Sequence, residues 1–170
     1  IALNVLEKDE EWEEALTVLR EHPQAARTEP VFTLKESFYL LHLDNLEAAV
    51  EALEKNRSRF PGNDDINYFL ALGYEDLGEY AKAKNELAKL YAKKPEWQEM
   101  AYSYALICGE LEDYPCMEKV LEETLQKHPN DPTILNALGF TWAEQGKKLD
   151  EAHQMISKAL LSEPKNYSFQ

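Results

Sequence analysis

Apolar residues recur every three or four positions along most of this chain, which is the spacing of one face of an α-helix. In residues 64–97 one apolar stripe runs from Leu70 to Tyr74, and a second runs from Tyr80 to Leu90. A leucine and a glycine interrupt the pattern between the two stripes, as expected for a turn. This segment therefore predicts two helices joined as a hairpin.

The hairpin pattern repeats along the chain. Prolines close successive repeats at spacings of 34, 34 and 35 residues, at Pro61, Pro95, Pro129 and Pro164. Small or slender residues precede the prolines by twelve positions, at Ala49, Ala83, Met117 and Ala152, and recur in the preceding helix at Ser37, Ala71, Ala105 and Gly139. Helices that pack at the close end of the usual range of about 8–10 Å between axes need small side chains where they touch. These positions are therefore predicted to be helix contacts.

The repeated residues resemble the tetratricopeptide repeat, a family of 34-residue helix-turn-helix units. Residues 132–166 match it best, at Leu135, Leu138, Gly139, Trp142, Gly146, Ala152, Ile156, Ala159 and Pro164. One extra residue in their segment GKKLDEA lengthens the turn, as in many bacterial members of the family. Residues 64–97 match well. Residues 98–131 depart from the pattern at Cys108, Glu112 and Met117, and residues 30–63 carry Glu36 where leucine is usual.

The resemblance implies an all-α fold, a right-handed α-solenoid of stacked helical hairpins. We expect one domain over residues 1–170. Its expected units are residues 1–29, which match only part of a repeat, and then 30–63, 64–97, 98–131 and 132–166. Residues 167–170 are expected to begin a further repeat, so we expect that the chain comes from a longer array or has been trimmed at both ends.

The charge balance excludes some classes of function. The chain has 170 residues, with 32 acidic and 18 basic side chains and a formal net charge of −14. Nucleic acids and anionic membranes are bound through basic faces, so neither is an expected partner. The basic segment KNRSR at residues 55–59 is interpreted as the last turn of a helix, where cations face the negative end of the helix dipole. The compartment stays open between a bacterial cytoplasm and the cell envelope.

No catalytic or cofactor-binding motif stands out. Gly73 and Gly78 have the spacing of a phosphate-binding loop, but Glu79 and Tyr80 replace the lysine and the hydroxyl that such a loop needs. The four histidines are scattered, and none forms a metal-binding pair at helical spacing. We therefore predict that the chain is not an enzyme and binds no cofactor or metal.

The two cysteines, Cys108 and Cys116, fall on successive helices of one predicted hairpin, so they could meet across it. Neither is adjacent to a histidine or lysine that would lower the pKa of its thiol. We interpret them as a buried, reduced pair, with a disulfide as the alternative.

The resemblance also implies a binding groove, because the first helix of each unit lines the concave face of such a solenoid. The groove positions of the four complete units are Val31, Leu34, Phe38 and Leu41; Asp65, Tyr68, Leu72 and Glu75; Glu99, Tyr102, Leu106 and Glu110; and Thr133, Asn136, Phe140 and Glu144. Aromatic or apolar residues fill the middle of this pattern, and acidic residues lie at its edges. The residues expected to bind a partner are Leu34, Phe38, Asp65, Tyr68, Leu72, Glu99, Tyr102, Leu106, Asn136 and Phe140.

The groove composition predicts an apolar or basic protein segment as the partner, either a peptide or a helix. Some family members hold acidic chaperone tails with a clamp of lysine, asparagine and arginine, but the clamp positions here hold Leu34, Phe38, Phe69, Glu99 and Ser103. The predicted function is that of a non-enzymatic scaffold or adaptor. Two alternatives remain: self-assembly into a homo-oligomer, and an accessory domain of a larger enzyme or of a secretion or envelope machine.

Overall fold

The computed structural model describes the backbone of residues 2–162 and, apart from residues 2 and 25–27, their side chains. Within this part of the chain the secondary structure is entirely helical. The helices are α1 (Ala2–Lys8), α2 (Trp12–Glu21), α3 (Pro23–Thr28), α4 (Pro30–His42), α5 (Leu46–Arg57), α6 (Asp64–Asp76), α7 (Tyr80–Lys93), α8 (Gln98–Glu110), α9 (Tyr114–Lys127), α10 (Pro132–Glu144) and α11 (Leu149–Ser162). Pro164 and the further repeat expected at 167–170 lie outside the described residues.

The chain divides into two compact units, residues 1–86 and 87–170, with the boundary inside α7. In the first unit α2 packs against α4, α4 against α5, and α5 against α6. In the second unit α8 packs against α9, and α10 packs against both α9 and α11. Each unit is therefore built from helical hairpins packed side by side. The single domain expected over residues 1–170 stays a prediction.

Several helices begin at a residue whose side chain caps the helix N-terminus. Asn63 accepts a hydrogen bond from the backbone N–H of Ile66 (2.8 Å), and Asp131 accepts one from that of Ile134 (2.8 Å). Pro132 occupies the first turn of α10, directly after its cap. The cap oxygen accepts a hydrogen bond from one otherwise free N–H, and proline has no N–H to satisfy, so this helix starts at a fixed place.

The repeat period is also present in the backbone conformation of the hairpin turns. Five residues spaced 34 apart have positive φ angles: Glu10 (58°), Asp44 (55°), Gly78 (72°), Glu112 (55°) and Gly146 (64°). This left-handed conformation favours glycine, yet three of the five positions carry acidic side chains. The last turn is one residue longer than the others, and it contains a second residue with a positive φ angle, Lys148 (43°).

Small residues allow the helices of a hairpin to touch. The alanines at the predicted contact positions are at most 1% exposed: Ala49, Ala71, Ala83, Ala105 and Ala152. A Cβ atom added to Gly139 would lie 2.8 Å from Cγ1 of Ile156 and 3.0 Å from the carbonyl oxygen of Ala152. The contact between α10 and α11 is therefore closed to any residue larger than glycine unless the helices move.

Cys108 on α8 and Cys116 on α9 form a disulfide, with their Cα atoms 5.8 Å apart. The interpretation of these cysteines as a reduced pair is therefore wrong. The turn between them explains their proximity, because the backbone N–H of Asp113 donates to the carbonyl of Cys108 (2.8 Å) and the Asp113 side chain caps the N–H of Cys116 (3.2 Å). These bonds hold the two Cα atoms within the range that a disulfide spans.

Candidate functional site

An apolar groove of about 370 Å³ lies on the first unit between α4 and α6. Helix α4 contributes Val31, Leu34, Phe38 and Leu41, and α6 contributes Phe69, Leu72 and Asp76. Buried residues of α5, including Val50 and Leu53, form its floor. We call this surface the apolar groove.

Large apolar side chains of the apolar groove are open to solvent. Phe38 is 47% exposed and Phe69 48%, and Val31 and Leu41 are exposed to a similar extent. Scattered exposed apolar residues are common, whereas a group of them around one concavity is typical of binding surfaces in general. The ring of Phe38 is supported from one side, since it lies edge-on to Trp12 (centroids 5.5 Å apart) and to His42 (4.4 Å).

Two charged residues line the apolar groove, and they differ in their surroundings. Lys35 donates a hydrogen bond to the carboxylate of Glu7, which also accepts one from the hydroxyl of Tyr39. Burial alone would raise the pKa of Glu7, but these two hydrogen bonds and the lysine charge lower it below its usual value. Asp76 forms no ion pair or hydrogen bond with any other residue that the structure describes. Its carboxylate is therefore available to a ligand.

Three of the sequence-predicted site residues, Leu34, Phe38 and Leu72, line the apolar groove together. Two others of the first unit do not. Asp65 is exposed in the first turn of α6, and Tyr68 is half-buried, with its ring 5.9 Å from that of Phe69.

Phe69, which occupies one of the clamp positions named from the sequence, lines the apolar groove but is not among the residues expected to bind a partner. A signal for it exists in the sequence. The positions 34 residues before it, 34 after it and 68 after it hold Lys35, Ser103 and Ala137, so a phenylalanine there is a departure from the repeat.

In the second unit, Tyr102 and Leu106 of α8 are half-buried. Tyr102 packs against a core cluster whose members include Ala101 and Leu138. Burial, and to a smaller extent the nearby carboxylate of Asp131, raises the pKa of the Tyr102 hydroxyl. This tyrosine therefore stabilises the second unit as well as occupying a predicted groove position.

The remaining predicted residues also lie in the second unit. Glu99 is exposed in the first turn of α8, and Phe140 on α10 is 37% exposed. The side-chain oxygen of Asn136 is buried, and no hydrogen-bond donor reaches it from the described residues. The ten predicted residues are thus divided between the two units, and a continuous row through both stays a prediction.

A polar cleft of about 490 Å³ lies on the opposite side of α5, between that helix and α2. Arg20 in this cleft pairs with Glu36 (3.1 Å), and Arg59 donates to the side-chain oxygen of Asn56 (2.5 Å). The lining also contains Lys55 and Glu51. Since basic and acidic groups are mixed here, the cleft presents no field of one sign to a ligand.

Two features are absent from the part of the chain that the structure describes: a cluster of metal-ligating side chains and a membrane-spanning helix. No group of three or more histidine, cysteine or acidic side chains is placed there to hold a metal ion. None of the helices between residues 2 and 162 has the length and apolar character that crossing a membrane requires.

Comparison with curated sequences shows similarity to a known repeat protein. A TPR repeat-containing protein of Pseudomonas aeruginosa PAO1 is 31% identical in an alignment 130 residues long that covers 74% of this chain. The chain spans about a fifth of the length of that relative, 22%. No protein-family model matches the chain.

Solved structures share the fold at lower sequence identity. MamA from Desulfovibrio magneticus RS-1 gives a TM-score of 0.84 at 17% identity, over 98% of this chain and 93% of that one. YrrB, described as a TPR protein with an unusual peptide-binding site, gives 0.81 at 16% identity, over 98% and 86%. A tetratricopeptide repeat protein of Parabacteroides merdae gives 0.86 at 18% identity, over 99% and 66%. The predicted fold class, an α-solenoid of helical hairpins, is confirmed.

Proposed function

This chain is a tetratricopeptide-repeat protein, and from that premise we propose that it binds a segment of a partner protein in the apolar groove. The observation that carries the proposal is the exposure of Phe38 and Phe69 on the two walls of one concavity. Aromatic side chains at the centre of an interface contribute much of its binding energy. The chain acts in this proposal as a scaffold or adaptor, without catalysis.

The character of the apolar groove favours an apolar or basic segment as the partner. Its walls are apolar, and the carboxylate of Asp76 lies among them. YrrB, which has the same fold, is described as having a peptide-binding site, and this supports a peptide segment as the ligand. Glu99, Tyr102, Leu106, Asn136 and Phe140 remain proposed contacts of the second unit, together with Asp65 and Tyr68 of the first.

Photo-crosslinking tests the proposal. Benzoylphenylalanine replaces Phe69 in the apolar groove or, as a control, Tyr114 on α9, which is a similarly exposed aromatic residue at 40%. Both chains are irradiated in a lysate of the source cells, and the crosslinked peptides are identified by mass spectrometry. We expect position 69 to capture one defined segment of another protein, and position 114 not to capture it.

The proposal fails if positions 69 and 114 give the same products, because capture would then reflect exposure alone. It also fails if position 69 captures nothing while the unaltered chain retains a partner, because binding would then use another surface.

Self-assembly is the second candidate function, and exposed leucines on α11 favour it. Leu161 is 84% exposed and Leu149 59%. In this candidate function both leucines would be covered by a complementary surface on another copy of the chain. Mass measured by light scattering at increasing concentration checks this, and Leu161→Ser should reduce any association. A mass that stays that of one chain at all concentrations would exclude it.

A further inference from the structure

The apolar groove offers a ligand few hydrogen-bonding groups. Ser37 is 4% exposed, and the ammonium group of Lys35 is bonded to Glu7. The walls are the helices α4 and α6, whose interior N–H and C=O groups bond along the helix. Among the described lining residues, Asp76 provides the one polar group that combines exposure with freedom from a partner.

Because the apolar groove has few polar groups, an extended ligand and a helical ligand would bind in it with different free energies. A peptide in strand conformation would bury main-chain N–H and C=O groups against apolar walls, and each unpaired group costs free energy. A helix brings those groups already bonded to one another and presents only side chains. The apolar groove therefore favours a helix.

The spacing of the wall residues sets the length of that helix. Val31, Leu34, Phe38 and Leu41 follow one another at intervals of three, four and three residues, so they form one stripe along α4. At a rise of 1.5 Å per residue this stripe is about 15 Å long, or roughly three helical turns. A helix that covers it carries apolar residues at intervals of three and four over the same length.

The negative charge of Asp76 favours a basic residue at one end of the ligand. Asp76 is the last residue of α6, and its exposed carboxylate has no partner among the described residues. The chain as a whole has a formal net charge of −14. A lysine or arginine of the ligand next to Asp76 would be attracted both by this carboxylate and by the field of the protein.

Building on the function proposed above, we infer that the apolar groove binds an amphipathic helix of a partner protein. The helix is about three turns long, packs its apolar face between Phe38 and Phe69, and places a lysine or arginine beside Asp76.

Three synthetic peptides of about 16 residues, a length at which isolated helices form, test the inference on the full chain. The first is a leucine, alanine and lysine peptide whose leucines recur every three and four residues. The second has the same composition in an order that scatters the leucines around the helix. The third carries two central prolines, which prevent helix formation. Affinities are measured by fluorescence anisotropy at several salt concentrations.

We expect the first peptide to bind about tenfold more tightly than the other two, because only it arrives as a helix with one apolar face. Phe69→Ser should weaken its binding about tenfold, because the side chain forms one wall of the apolar groove. Asp76→Asn should weaken it about threefold and reduce its salt dependence. Tyr114→Ser is the matched control and should leave the affinity unchanged. Phe69 and Asp76 are exposed, and circular dichroism verifies that the variants remain folded.

The possible failures are distinct. If the proline peptide binds as tightly as the first one and is equally weakened by Phe69→Ser, the ligand is extended; the helix inference is then wrong, while the proposed function stands. If Phe69→Ser weakens none of the peptides, the apolar groove is not their site, and both proposals fail. If the first peptide does not bind at millimolar concentration, the helix inference is wrong.

Discussion

The two units carry large apolar residues at matching repeat positions but use them differently. In the first unit, Leu34, Phe38 and Leu72 border the apolar groove, and Phe38 is nearly half exposed. In the second unit, Tyr102 packs against a core cluster. A disulfide also joins α8 to α9 there. The first unit therefore leaves an apolar concavity open, whereas the second is held by internal packing and a covalent link.

This difference shows what a repeat period determines and what it does not. The period fixes which face of a helix a side chain occupies, because it counts helical turns. Exposure depends in addition on the residues around that face. The neighbour of Tyr68 is the exposed Phe69, whereas the neighbour of Tyr102 at the same repeat position is Ser103. Positions one period apart can therefore differ in their surroundings, since Phe69 lines the apolar groove and the equivalent Ser103 offers no such side chain.

The largest expected loss of stability comes from a substitution that disrupts the packing of the second unit. Gly139→Leu places a side chain where even a Cβ atom meets Ile156 and the carbonyl of Ala152. We expect the free energy of unfolding to fall by about 3 kcal/mol, because a backbone atom cannot move aside as a flexible side chain can. Hydrogen exchange should show loss of protection in α10 and α11 before the first unit is affected.

Gly62→Leu serves as the control for this substitution, since a Cβ atom at Gly62 meets nothing within 4 Å. Equal destabilisation by the two substitutions would mean that the contact between α10 and α11 is not the cause. Simultaneous loss of protection in all helices would mean that the two units unfold as one.

Removing the disulfide is expected to have the next largest effect. Cys108→Ala combined with Cys116→Ala should lower the free energy of unfolding by about 2 kcal/mol, because the unfolded chain regains the entropy of an open loop. Urea denaturation measures the change, and hydrogen exchange should assign it to α8 and α9. The first unit contains no cysteine and provides the internal reference. An unchanged midpoint in the double variant would contradict a stabilising role for the bond.

The smallest expected loss of stability comes from removing a tyrosine–glutamate hydrogen bond, a kind of interaction that occurs in both units. The hydroxyl of Tyr74 donates to Glu54 in the first unit, and that of Tyr91 donates to Glu123 in the second, each at 2.6 Å. Tyr74→Phe and Tyr91→Phe should each lower the free energy of unfolding by about 1 kcal/mol at neutral pH, because one hydrogen bond to a carboxylate is lost.

The same pair predicts an alkaline pH dependence. Burial and then the adjacent carboxylate raise the pKa of both tyrosines above the ordinary value of 10. Above about pH 10 the unfolded chain loses these protons while the folded chain keeps them, so stability falls as the pH rises. Urea denaturation between neutral and alkaline pH should give a shallower decline for each phenylalanine variant. A decline identical to that of the unaltered chain would show that these tyrosines are not responsible.

The sequence predicts much of the fold, because the features concerned are local in the chain. The small residues at Ala71 and Gly139 and the lengthened last turn all follow from residues within one repeat. The disulfide between Cys108 and Cys116 depends on a distance across a turn, and the exposure of Phe69 depends on residues of another helix. Neither quantity can be read from spacing alone.

The regular series of left-handed turn residues has a consequence for how such a gene can change. Asp44 and Gly78 occupy equivalent backbone positions one period apart. Deleting residues 45–78 would join Asp44 to Glu79, so that α7 followed α4 through a turn of the same geometry. Recombination at any of these turns can therefore add or remove a whole repeat of 34 residues, and the remaining helices keep their repeat register.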